Sequence, residues 1–121
     1  LYMIIHRSGG FVETSAILRE IHRRIIKNFL DILVLAELRK GAMSGYDVIV
    51  FIHEKFHLLV SSGTVYTTMY SLERSGLISG SSNHRKRVYR LTAKGEETIK
   101  TIMSANDRIR YLMSTLLKTQ R

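Results

Sequence analysis

Read for the spacing of its apolar positions, the chain divides into a series of helical stretches interrupted once by a β-like pair. From Thr14, Ile17, Leu18, Ile21, Ile25 and Phe29 recur at helical spacing, with Arg19, Glu20, Arg23, Arg24 and Lys27 on the other faces. Residues 28–40 are apolar around most of their circumference through Leu30, Leu33, Val34, Leu35 and Leu38, the pattern of a central buried helix ended by Gly41. The pattern leaves open whether the first helix runs into the second, with Asn28 and Asp31 as the candidate restart points. Ser44 with Asp47 three residues on predicts a capping box, and Val48, Ile49, Ile52 and Phe56 the inner face of the helix it opens. Residues 58–60 read as a short strand. Ser61 or Ser62 then caps a helix ending near Ser75 and Gly76, whose core stripe is Val65, Met69 and Leu72.

After Gly76 the period changes. Residues 77–82 and 87–91 read as two strands whose turn and tip fall within 80–85, with Val88 and Arg90 alternating against Tyr89 and Leu91. Thr92 caps a long final helix through about Leu117, in which Gly95 costs only a little helix propensity. Along it Ile99, Ile102, Asn106, Ile109, Met113 and Leu116 alternate in steps of three and four, the seam of a coiled coil, with Asn106 setting register. Helix, helix and basic hairpin in that order make a winged helix-turn-helix. The expected fold class is mostly α with a small β-wing, plus a long C-terminal dimerisation helix. The divisions are 1–27, an N-terminal arm and basic amphipathic helix; 28–92, the winged-helix domain; and 93–121, the dimerisation helix. All belong to one compact domain.

Charge sharpens this picture. The chain carries 19 Lys+Arg against 10 Asp+Glu, a net +9, and between Glu73 and Glu96 every charged residue is a cation. Such a surface suits a polyanion, here double-stranded DNA. A chain of 121 residues buries roughly 65% of its unfolded surface, enough for a core with neither metal nor disulfide. It has no cysteine, so disulfides and thiolate metal sites are excluded. His53 and His57 have a zinc-compatible spacing, but no third ligand accompanies them, and they read as surface residues. No nucleophile motif or phosphate-cradling glycine loop is present, so no catalytic residue, cofactor or enzymatic activity is assigned. The apolar cluster within the first ten residues is too short for a signal-peptide core or membrane span, and the expected location is cytoplasmic.

The candidate DNA-contacting residues follow. Thr67, Tyr70, Ser71 and Arg74 lie opposite the core stripe of the recognition helix, and with Thr64 they are the candidates for major-groove contact, with Ser62 at the start of the helix. Arg85, Lys86 and Arg87 supply the phosphate or minor-groove contacts of the wing.

Leu33-Val34-Leu35, Ser44-Gly45-Tyr46-Asp47, Ser62-Gly63-Thr64-Val65-Tyr66, residues 72–78 (LERSGLI) and residues 89–95 (YRLTAKG) together, in order and spacing, resemble the PadR family of winged-helix transcriptional regulators. The resemblance covers roughly residues 28–100. It departs from the family's frequent prolines at Thr67 and at Met43 or Ser44, positions that tolerate other residues. It implies a dimer assembled through C-terminal helices, and a place near DNA for Tyr46 and Tyr66. Members with multidrug-type pockets stack flat ligands between aromatics, and this chain has no tryptophan, so no effector is assigned. The function expected is that of a homodimeric, sequence-specific regulator, a repressor, on a pseudo-palindromic operator. Two alternatives stay open: a sequence-neutral architectural DNA binder, and a winged helix that docks on an acidic protein.

Overall fold

The computed structural model describes residues 14–118, and the expected N-terminal arm lies outside them. Within that span six helices and two strands follow in order: α1 (Thr14–Asn28), α2 (Leu30–Leu38), α3 (Gly45–Phe56), α4 (Ser62–Arg74), β1 (Ile78–Asn83), β2 (Lys86–Leu91), α5 (Ala93–Ser104) and α6 (Asn106–Lys118). The architecture is the mostly helical winged helix expected.

The core is built on α2, whose Leu30, Val34, Leu35 and Leu38 are all buried. Against them pack Val48 and Ile52 of α3, Val65, Met69 and Leu72 of α4, Ile78 and Tyr89 of the hairpin and Ile99 of α5. Removing such a side chain from water is worth about 1.5–3 kcal/mol each, so this cluster holds the domain together. No buried side-chain nitrogen or oxygen among the described residues lacks a partner.

Caps set the helix starts. Ser44 and Asp47 form the expected reciprocal box: Asp47 N–H donates to Ser44 Oγ at 3.1 Å, and Ser44 N–H to Asp47 Oδ2 at 2.9 Å. Ser61, rather than Ser62, caps α4, accepting from the Thr64 N–H at 3.1 Å. Thr92 caps α5 through the Gly95 N–H, and its hydroxyl also donates to the Gly76 carbonyl at 2.6 Å, tying the end of the hairpin to the turn before it.

Four expectations change. First, α1 and α2 part at Phe29, between the two expected restart points; its φ of −110° and ψ of 23° leave the helical range, while its N–H still reaches the Ile25 carbonyl and its own carbonyl accepts from Leu33. The α1 stripe at Leu18, Ile21, Ile25 and Phe29 is exposed, and Ile26 is the residue of that helix that enters the core. Second, residues 58–60 form no strand. Met43 instead exchanges two backbone hydrogen bonds with Tyr89, at 3.1 and 2.8 Å, and supplies a one-residue third strand to the wing. Third, the turn is tighter than 80–85: Asn83 pairs with Lys86, leaving only His84 and Arg85 between the strands. Both have positive φ, 51° and 67°, the two-residue turn that matches strand twist.

Fourth, the C-terminal helix is not continuous. Ala105, at φ −91° and ψ 8°, separates α5 from α6, and its N–H is shared between the Thr101 and Ile102 carbonyls. The hydroxyls of Thr98, Thr101 and Ser104 each bond back to a carbonyl three or four residues earlier, which bends a helix. Asn106 and Asp107 follow, residue types that favour a helix start.

Gly95 also has a role beyond propensity. A Cβ there would collide with the backbone carbonyl of Leu77, with the carbonyl carbon at 3.0 Å. Backbone cannot swing aside as a side chain can. Gly95→Ala is therefore expected to destabilise the protein by about 2 kcal/mol. Propensity alone would instead stabilise it by about 1 kcal/mol. Urea denaturation of the two proteins decides by the sign of the midpoint shift.

Candidate nucleic-acid interface

The surface that α4 turns away from the core carries most of the candidate residues. Burial of Val65, Met69 and Leu72 leaves Tyr66, Thr67, Tyr70, Ser71 and Arg74 exposed along the same helix. Ser62 is exposed at its start. Arg74 lies 5.7 Å from the Tyr70 ring centre, a cation–π contact that leaves its guanidinium at the surface beside the phenol. Thr64 differs: it is half-buried, and its hydroxyl sits 2.8 Å from Ser61 Oγ within the cap.

Tyr46 and Tyr66 come from different helices, and Gly45 explains their relation. A Cβ on Gly45 would fall 2.7 Å from Tyr66 Cζ, so the Tyr66 ring lies against the bare first turn of α3. The two phenols remain 65% and 48% exposed, which makes them surface aromatics with polar tips rather than core residues.

The wing cations divide into different environments. Arg85, at the tip, makes no hydrogen bond or ion pair with the described residues, and His84 is exposed beside it. Lys86 Nζ stands 3.7 Å from Asp47 Oδ2, bringing the wing to the start of α3. Arg87 donates to Glu73 Oε2 at 2.8 Å and lies 5.6 Å from the Tyr89 ring centre. The paired carboxylate holds the Arg87 guanidinium above its ordinary range. His84 was not a sequence candidate, because a His-Arg pair carries none of the usual Asn-Gly turn signal. Glu73 was also missed, although it is the only acid between Glu54 and Glu96.

The residues of the expected dimer seam are divided as well. Ile99 is in the protomer's core and Ile102 packs against that core, whereas Asn106, Ile109 and Leu116 are exposed and Met113 is half-buried. No residue of α6 is buried. His57 ends α3 in the left-handed conformation, with its N–H on the His53 carbonyl, so it does not share a helical face with His53. Among the described residues no three His, Cys, Asp or Glu side chains group as a metal site, and no helix is long and apolar enough to cross a membrane.

Asp47 makes the site sensitive to acid. The Ser44 backbone N–H is the largest influence on its carboxyl and, with the Ser44 hydroxyl and Lys86, outweighs the opposing effect of burial and holds it below its ordinary value of 3.8. A carboxyl lowered in the folded state stabilises above its unfolded pKa, and the contribution fades as pH falls through the folded value. Wild-type protein should therefore lose stability relative to Asp47→Asn as pH drops below 3.8. Urea midpoints of both proteins at neutral pH and at roughly pH 3 check this: the gap between them must narrow on acidification.

Comparison with known proteins agrees with this architecture. The model of the transcriptional regulator PadR-like family matches residues 34–101. A transcriptional regulator from Clostridium thermocellum superposes with a TM-score of 0.68 at 22% identity, over 78% of this chain and 96% of its own. A PadR family transcription regulator from Clostridium difficile gives 0.66 at 24% identity, over 74% and 98% of the two chains. Bacillus subtilis PadR in complex with operator DNA gives 0.55 at 25% identity, over 61% of this chain and 46% of that one. Among curated proteins none matches the chain in sequence.

Proposed function

We propose that this chain, which belongs to the PadR-like family of transcriptional regulators, represses transcription as a homodimer bound to a pseudo-palindromic operator. The observation that carries the reading is the outward face of α4, with Thr67, Tyr70, Ser71 and Arg74 exposed beside a hairpin that ends in Arg85. A helix of that composition fits the major groove, where hydroxyls and one guanidinium meet base edges and phosphates. Arg85 and Lys86 then lie over the flanking backbone, and Tyr46 and Tyr66 offer phenol hydroxyls to phosphate. The Bacillus subtilis relative, solved with operator DNA, supports the same use of the fold. Repression follows if the bound site overlaps a promoter.

Dimerisation rests on α6. Its Ile109, Leu112, Leu116 and Leu117 are 42%, 65%, 60% and 73% exposed, an apolar surface that a second copy would cover. Pairing two protomers also doubles the recognition helices, which on a palindromic site engage half-sites about 34–36 Å apart.

Three measurements test these claims. Selection of genomic fragments by the purified protein, followed by competition against random duplex, should yield a palindromic site preferred by roughly a thousandfold or more. A ratio near one would instead support a sequence-neutral architectural protein. The log-log salt dependence on the selected site should have a slope of roughly −5, as about six phosphates met by Arg74, Arg85 and Lys86 of two protomers require; a slope near zero removes DNA as the partner. For the dimer, Ile109→Glu should keep its helical circular dichroism and sediment as a monomer where the unaltered chain sediments as a dimer. A variant that stays dimeric excludes α6 as the interface.

A further inference from the structure

We infer that Arg87 does not bind DNA phosphate but acts as a positioning residue, locking the wing to the recognition helix through Glu73 across the bare backbone of Gly80. The inference rests on the reading of α4 and the wing as a DNA-binding surface.

One carboxylate oxygen joins both strands to α4. Glu73 Oε2 accepts from Arg87 Nη2 at 2.8 Å and from the Gly80 N–H at 3.0 Å, so it holds β2 by a side chain and β1 by its backbone. Hydrogen bonds to a charged group are the stronger kind. The route of the arginine depends on Gly80: a Cβ there would stand 2.8 Å from Arg87 Nε and 2.9 Å from Cζ and Nη2. The guanidinium thus lies over the place a side chain would occupy. Its Cζ is 5.6 Å from the ring centre of Tyr89, which is buried and pairs across the hairpin with Gly80. Residue, partner, clearance and ring contact all belong to one arrangement.

Charge points the same way. Glu73 is the only acid between Glu54 and Glu96, and on a helix destined for a groove an uncovered carboxylate would repel phosphate. Arg87 neutralises it, and the pair then adds nothing to the net charge presented to DNA. By contrast Arg85, two residues away at the tip, has no partner among the described residues. The lock sets the distance and angle between α4 and that tip, hence which backbone step the tip meets when α4 is seated. Its contribution is to specificity.

The test uses the full chain with Glu73→Ala, Arg87→Met and the double variant. In the free protein, amide hydrogen exchange at Gly80 should speed up by roughly tenfold in either single variant and no further in the double one, the signature of a shared interaction. Unchanged exchange in Arg87→Met overturns the lock. On a duplex selected by the unaltered protein, Arg87→Met should lower the preference over random duplex by roughly tenfold, the scale of one base contact. The double variant should keep the parent's salt slope, because a neutral pair has been removed. A slope shallower by about 0.9 for each phosphate no longer neutralised, with selected and random duplex weakened alike, would make Arg87 a phosphate ligand and overturn the inference. A chain that binds no duplex removes the functional reading, while the exchange measurement decides the lock on its own.

Discussion

The two backbone hydrogen bonds between Met43 and Tyr89, at 3.1 and 2.8 Å, are the junction on which the rest of the surface depends. They fasten the inner strand of the hairpin to the residue just before the cap of α3. With that strand held, Tyr89 enters the core, Lys86 comes within 3.7 Å of Asp47, and Arg87 is aimed along β1 toward Glu73. A two-stranded hairpin is marginal by itself in water. This one is fixed because its backbone pairs with the helix-turn-helix and its last residue, Leu91, runs into a capped helix whose Gly95 lies against Leu77.

That attachment sorts the positive charge into separate tasks. Seen only as a run, Arg85, Lys86 and Arg87 are three equivalent cations at a turn. In the fold Arg85 stands in the turn while Lys86 and Arg87 begin β2, and the three meet different neighbours: open solvent, the Asp47 carboxylate of a helix cap, and the Glu73 carboxylate of another helix. Exposed ion pairs contribute little to stability. Their value here is geometric, since each ties the wing to a different helix of the same motif.

Apolar surface is sorted in a parallel way. The stripe of α1 and the residues of α6 have helical periodicity as clear as that of α4, yet they stay at the protomer's surface. Periodicity marks a face as apolar without recording where in the fold it lies. The break at Ala105 adds to this, because it turns one apparent seam into two segments: Ile99 and Ile102 serve the domain's own core, and the residues beyond Asn106 do not.

The local steps of this fold were legible in the residues themselves. The caps at Ser44 and Thr92, the buried stripe of α4, the helical core around Leu30 to Leu38 and the change of period after Gly76 all depend on neighbours within a turn or a strand, where spacing and side-chain chemistry suffice. The exposed face of α4 followed from the same arithmetic. The placing of 58–60, the two-residue tip, the break at Ala105 and the pairing of Arg87 were not legible in this way. The Met43–Tyr89 bridge joins residues 46 apart, and the Glu73–Arg87 pair and Gly95–Leu77 contact also cross from one element to another. Spacing along the chain was enough to set which segments become helix or hairpin and which faces are apolar. Which cations meet carboxylates, and which glycines must lack a Cβ, was settled by the packed fold, because those outcomes depend on distances between elements that local spacing does not contain.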